Sequence, residues 1–256
     1  MLPLIARNRL ARSCPTWGRV QRCAMADEPD DKRDRVIQAR LKLRERFIAD
    51  IDRSASIADP APLGTGPTNR HGMPRLPVEQ VETHKWPVLD LGNQPTIPKD
   101  RWRLVIDGAC RRPITLDWRW FMELPQVDDV SDFHCVTKWS RFDVPWRGVA
   151  LADVLALAEP TDEARHVMCH AYDGYTTNLP LAEAIKPDVL LVHTADRAPL
   201  SVAHGGPVRV ITPQLYAWKG AKWIKRLELM SDDRLGFWEE RGYSNTAYPW
   251  RNDRYS

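Results

Sequence analysis

Three short stretches of this chain combine residue types that do chemistry. The first is Phe133-His134-Cys135-Val136-Thr137-Lys138-Trp139-Ser140-Arg141. Its cysteine ends a strand-like run and is followed by Lys138 and Arg141. Positive potential lowers a thiol pKa and favours the thiolate, the form that attacks electrophiles or ligates soft metals. Without that potential, a cysteine in an apolar strand is a small buried hydrophobe. The second stretch, His204-Gly205-Gly206-Pro207-Val208-Arg209-Val210, sets two glycines where backbone can approach a ligand, then an arginine on a strand. The third, Tyr216-Ala217-Trp218-Lys219-Gly220-Ala221-Lys222-Trp223, interleaves bases and aromatics around a glycine. Such a loop suits a phosphate cradle of backbone N–H groups and lysines. Taken singly, a hairpin turn and a solvated loop account equally well for the last two.

Other combinations are weaker. His134, Cys135, Cys169, His170, His193 and His204 are all metal-ligand types, but no pair has the short spacing of a structural zinc site. The neighbours His134 and Cys135 also point in different directions. Cys135 as nucleophile with His204 as base would make a thiol hydrolase. The residues around neither one favour that chemistry, and it stays open as an alternative.

The elements that would position these residues follow from periodicity. Residues 34–53 are charged, with Ile37, Leu41, Ile48 and Ile51 roughly on one helical face, which predicts a solvated helix packed on the domain. Residues 54–80, with Gly64-Thr65-Gly66-Pro67 and further prolines, read as a linker or an extended wrapping arm. Gly64 and Gly66 do not open a helix after a strand, so they are no dinucleotide fingerprint. Beyond them strands are predicted at residues 102–106, 132–136, 166–172, 189–194, 208–212 and 223–229. Short helices are predicted at 115–124, 151–158 and 181–185. Strands outnumber helices without clean alternation, which predicts an α+β fold with a mostly β core. The chain thus divides into an extension (1–24), a charged helix with a Pro/Gly-rich arm (25–80) and a folded domain (81–256).

Composition narrows the function classes. The 21 prolines among 256 residues argue against a bundle of long helices, and the 11 tryptophans suggest pocket walls or large amphipathic contacts. The net charge of +3 comes from residues 1–24, which hold five arginines and no acid; without them 32 bases face 34 acids. The body is therefore not a basic nucleic-acid binder. Residues 1–24 read as an upstream start, with Met25 as the first residue, or as an organellar transit peptide. No apolar run is long enough to span a membrane. Five cysteines are a poor disulfide framework and fit a reducing, cytoplasmic location.

Together the three stretches resemble the sulfite-oxidase-type molybdopterin-dependent oxidoreductases, and most closely their short, haem-free bacterial branch, which includes the catalytic subunit of methionine-sulfoxide reductase. The carriers are Cys135-x-x-x-Trp139-Ser140, His204-Gly-x-Pro-Val-Arg209 and Tyr216-x-x-Lys219-Gly220-x-Lys222. The resemblance covers roughly residue 84 onward. It implies a molybdenum-molybdopterin cofactor (Mo-MPT) with Cys135 as the protein ligand to the metal. His204, Arg209, Lys219, Gly220, Ala221 and Lys222 would then grip the pterin and its phosphate, and His84, Pro87 and Val88 match more loosely. Arg141 and Tyr175, with Lys138, would stand at the substrate mouth. The implied reaction is two-electron redox, with oxygen-atom transfer to or from a small substrate such as an S-oxide or a sulfur oxyanion. No haem-binding or immunoglobulin-like dimerisation segment is recognisable. A separate electron-transfer partner, protein or quinone-linked, and a monomer are therefore expected. A non-catalytic binding domain of the same fold is a further alternative.

Overall fold

The computed structural model describes residues 29–53 and 62–256. The extension expected at 1–24 lies outside the described residues, as does the Ile51 side chain. A helix, α1 (Pro29–Arg53), precedes the hairpin of β1 (Gly64–Thr68) and β2 (Pro74–Pro77) and the short β3 (Val81–Glu82). Then come β4 (Arg103–Gly108), β5 (Ile114–Asp117), α2 (Trp118–Glu123), β6 (Val127–Cys135), β7 (Trp139–Ala150) and α3 (Leu151–Ala156). The remainder is β8 (His166–Ala171), β9 (Thr176–Pro180), α4 (Leu181–Ala184), β10 (Leu190–Ala195), β11 (Ala198–Pro199), β12 (Arg209–Ile211) and β13 (Ile224–Met230). Strands with few short helices make this an α+β fold.

Two sheets carry the core. One has five strands in the order β5-β4-β13-β8-β9; the other has six, with β11-β10-β7-β3 as its path, β12 on β10 and β6 on β7. Side chains alternate across a strand, so Leu191 of β10 joins the large core with Leu104, Val167 and Leu227, while Leu190 and Val192 join a smaller one with Phe133 and Trp146. A strand covered on both faces reads as a continuous apolar run, as Leu190-Leu191-Val192 does. The Trp102 indole is fully buried and donates to the Ile224 carbonyl at 3.1 Å.

The structure departs from the periodicity in three places. Residues 114–117 pair with β4 as a strand, and the helix starts only at Trp118, because the Asp117 carboxylate accepts from the Trp120 N–H at 2.8 Å and caps it there. The twelve-residue β7 is hidden in the sequence by Pro145 and Gly148. The arm at 54–80 holds an ordered hairpin tied to the tail, with Leu63 N–H donating to Trp250 O and the Trp250 indole to Pro74 O.

Helix α1 lies on the domain, with positions 33, 36, 37, 40, 41, 44 and 48 half-buried at helical spacing. Ile37 packs against the large core. That packed face also carries three arginines, which charge alone would assign to solvent. Arg33 lies 5.1 Å from the Phe237 ring, and Arg44 donates to the carbonyls of Gly242 and Ser256, both at 3.1 Å.

Candidate active site

Cys135 is the last residue of β6, opposite Trp139 of β7, and the tight turn between them places Lys138 in the left-handed region (φ 68°). The Cys135 carbonyl accepts from the Lys138 N–H at 3.2 Å and from the buried Gln80 amide at 3.1 Å. Backbone so pinned holds Cys135 in the wall of a cleft. Trp86, Trp139, Trp218, Trp223 and Trp238 line that cleft, so nearly half of the tryptophans serve as its walls.

Two cations line the cleft on the side of β12. Arg209 is buried, and its three guanidinium nitrogens donate to the carbonyls of Val210, His204 and Gly220 at 3.1–3.3 Å. Lys222 Nζ donates to Ala203 O at 2.7 Å. Burial pulls Arg209 down to about 10, and burial together with Arg209 pulls Lys222 down to about 7. Neither has an ion pair with a carboxylate among the described residues. Gly205 (φ +104°) lies between them: a Cβ there would stand 3.1 Å from that of Arg209 and 3.0 Å from that of Lys222. The adjacent His204 ring stacks on Trp86 at 4.0 Å, with Nδ1 on Ser201 Oγ and Nε2 on Trp86 O, and burial lowers its pKa.

Of the residues singled out in the sequence, Cys135, Tyr175, Pro87, His204, Arg209, Gly220 and Lys222 converge on this cleft. Ala221 is buried beside it and accepts from the Val210 N–H. The others are placed elsewhere. Lys219 ends a 3₁₀ turn that directs its ammonium into the interior, 2.7 Å from Glu239 and 3.0 Å from both Asn178 oxygens. His84 and Arg141 line a second depression that shares Trp86 and His204 with the first. Val88 is 41% exposed and lines neither.

The expected activation of Cys135 by Lys138 and Arg141 is corrected. Lys138 pairs with Glu79 at 2.9 Å and Arg141 with Asp196 at 2.7 Å, so both charges are met by carboxylates. Burial pushes the Cys135 thiol up, opposed by its hydrogen bond with Thr137 (3.1 Å) and by the charges of Arg40 and Arg254. Such a thiol is a poor hydrolytic nucleophile, and its hydrogen-bond partner is Thr137 rather than His204. Tyr175 donates its hydroxyl to Trp218 O at 2.6 Å, and burial raises its pKa well above 10, so it keeps its proton. The sequence reading missed Arg40, Asp173 and Tyr243, which also line the cleft, as does Trp86 of the loosely matched 84–88 stretch. For Arg40 the available signal was its position, one turn from Ile37 on the packed face of α1.

Residues 91–238 match the family described as oxidoreductase molybdopterin binding domain. The chain belongs to this family. Among similar proteins, the uncharacterized oxidoreductase YuiH of Bacillus subtilis is 37% identical over 183 residues, covering 71% of this chain and 92% of that one. The protein-methionine-sulfoxide reductase catalytic subunit MsrP of Gluconobacter oxydans is 30% identical over 155 residues, covering 54% of this chain and 49% of that one. The chain thus spans about half the length of its MsrP relative. The sulfane dehydrogenase SoxCD of Paracoccus pantotrophus shares the fold, with a TM-score of 0.51 and 19% identity over 55% of this chain and 41% of that one.

A molybdopterin oxidoreductase takes molybdenum-molybdopterin as its cofactor, and the cleft fits it. Among the described residues no three His, Cys, Asp or Glu side chains converge to hold a metal. A metal at Cys135 must therefore bring its other ligands with it, as a dithiolene-bearing pterin does. A soft thiolate suits such a metal. Arg209 and Lys222 donate to backbone carbonyls and form no ion pair among the described residues, which suits the anion that a pterin phosphate supplies.

Proposed function

We propose that this molybdenum enzyme transfers an oxygen atom to or from sulfur in a small molecule, an S-oxide or a sulfur oxyanion. The observation that carries the proposal is the convergence of the Cys135 thiol with Arg209 and Lys222 in one tryptophan-walled cleft. The name of the MsrP relative supports sulfur as the reacting centre. Reduction of an S-oxide consumes two electrons and two protons and yields the sulfide and water; oxidation of a sulfur oxyanion runs the same balance in reverse. A separate electron-transfer partner, protein or quinone-linked, would supply or remove the electrons. When bound, the cofactor supplies the two-electron couple.

The residues divide the remaining work. Cys135 would hold the metal as its thiolate. Arg209 offers a planar fork and Lys222 a point charge to the phosphate. His204, Pro87 and Gly220 line the cleft beside them, and Ala221 joins Gly220 to Lys222. Tyr175, a neutral phenol, fixes the Trp218 wall through its hydrogen bond. The indole walls keep water out and so strengthen every charge interaction inside.

Metal and pterin analysis of protein purified from a cofactor-producing host, beside Cys135→Ser, tests the proposal. The expected result is near one molybdenum per chain, S-oxide reduction with a reduced dye, and a mutant that folds yet does not turn over. Equal turnover in the mutant would remove Cys135 from the mechanism. A wild-type protein that carries molybdenum but is inert toward both sulfur classes would overturn the substrate.

A further inference from the structure

We propose that Arg40, carried along the rim of the cleft on α1, is the cation that selects a negatively charged oxo-substrate, a selection that rests on the oxidoreductase function proposed above. Helix α1 lies outside the stretch that matches the family, residues 91–238. Its contacts nonetheless follow the rim of the cleft. A Cβ on Gly92 would stand 3.0 Å from the Lys32 chain, and one on Gly174 would stand 3.9 Å from the Arg33 guanidinium. Arg33 faces Phe237, and Arg44 donates to Gly242 O. Each of these four contacts falls next to a lining residue: Leu91, Asp173, Trp238 or Tyr243. Between Arg33 and Arg44 on the same face, Arg40 itself lines the cleft.

The charges in the cleft show what Arg40 is free to do. Arg209 and Lys222 are tied to backbone carbonyls and suit the cofactor's phosphate. Arg40 makes no hydrogen bond or ion pair among the described residues. Of the two lining carboxylates, Asp173 feels Arg33 and Lys222, and Asp90 bears on Lys222. The two other cations expected at the mouth, Lys138 and Arg141, are neutralised by Glu79 and Asp196. Arg40 and Cys135 both line this cleft, so guanidinium and thiol border one space. A half-buried guanidinium without a counter-ion is costly, and its planar fork matches two oxygens of one oxyanion. A neutral S-oxide leaves that charge unmet; a sulfur oxyanion or an anionic S-oxide meets it.

The test is a titration of the holoenzyme with sulfate, a non-reacting oxyanion, and separately with dimethyl sulfoxide, followed by tryptophan emission. Molybdenum and pterin are assayed on the same preparations. Arg40→Gln is expected to keep the wild-type metal content and to weaken sulfate by about 10- to 100-fold, the loss of one charge-assisted contact. Dimethyl sulfoxide affinity should not change, and Arg40→Lys should recover part of the sulfate affinity. For an anionic substrate the loss should appear in KM more than in kcat. Equal sulfate affinity in wild type and Arg40→Gln would overturn the proposal, as would a wild-type holoenzyme that does not bind sulfate. Loss of molybdenum from Arg40→Gln would overturn it too, by placing Arg40 on the cofactor. Failure of the parent function is read separately, as a molybdenum-loaded wild type that turns over neither an S-oxide nor a sulfur oxyanion.

Discussion

Lys222, proposed above to meet the cofactor's phosphate, carries a proton that burial has made easy to lose. Its pKa near 7, against an ordinary 10.5, means that in the cofactor-free protein the unfolded chain takes up that proton first as pH falls. The stability of the cofactor-free protein should therefore decline from about pH 10.5 to pH 7. Binding an anion beside Lys222 restores the charged form and removes the slope. Thermal midpoints of cofactor-free protein across this window are the measurement, and Lys222→Met should flatten the curve. At this scale Cys135, Arg209 and Lys222 were singled out by the family resemblance that their three stretches carry together, and the structure brings them to one cleft. Lys138, Arg141 and Lys219 were not, because their carboxylate partners Glu79, Asp196 and Glu239 come from distant segments that no local pattern connects.

Between elements, the close approach of β7 and β10 positions both cores, and it depends on the absence of one side chain. A Cβ at Gly148 would lie 2.1 Å from Leu191 O and 2.6 Å from the Val192 Cα, backbone atoms that cannot swing aside. Gly148→Ala should therefore force the strands apart and cost about 2 kcal/mol or more, read as a lower urea midpoint. The same residue explains why β7 could not be read from sequence: its interior Pro145 and Gly148 look like punctuation, yet the glycine answers a tertiary demand. Strands β8 and β10 were readable because each holds a run of three buried apolar residues, and β13 because Leu227 and Leu229 share one face. The cap at Asp117 was present in the sequence too, but the helical spacing after Thr115 masked the strand before it.

Across the whole molecule, the tail from Gly236 onward is fastened to the site by a buried pair. Glu239 Oε1 accepts from Lys219 (2.7 Å), Thr177 (2.9 Å) and the Trp218 indole (3.1 Å). Glu239→Gln would leave the Lys219 ammonium buried without its charge partner, a change worth about 3–5 kcal/mol. A lower thermal midpoint and a lower molybdenum content are expected together, because Trp238 and Tyr243 would lose their placement on the cleft. Wild-type cofactor content in a destabilised Glu239→Gln would separate the tail from the cleft. Both the arm and α1 also rest on this tail, through Trp250, Arg254 and Arg44.

Trp238 and Tyr243 come from this tail, so two aromatic walls of the cleft are supplied by residues that follow Cys135, Arg209 and Lys222 in the chain. Without the tail those three face an unfinished enclosure. A cofactor held in the cleft would therefore need the tail in place as well as the residues that grip it. A released chain that stops at residue 235 should hold no molybdopterin, whereas the 256-residue chain takes it up.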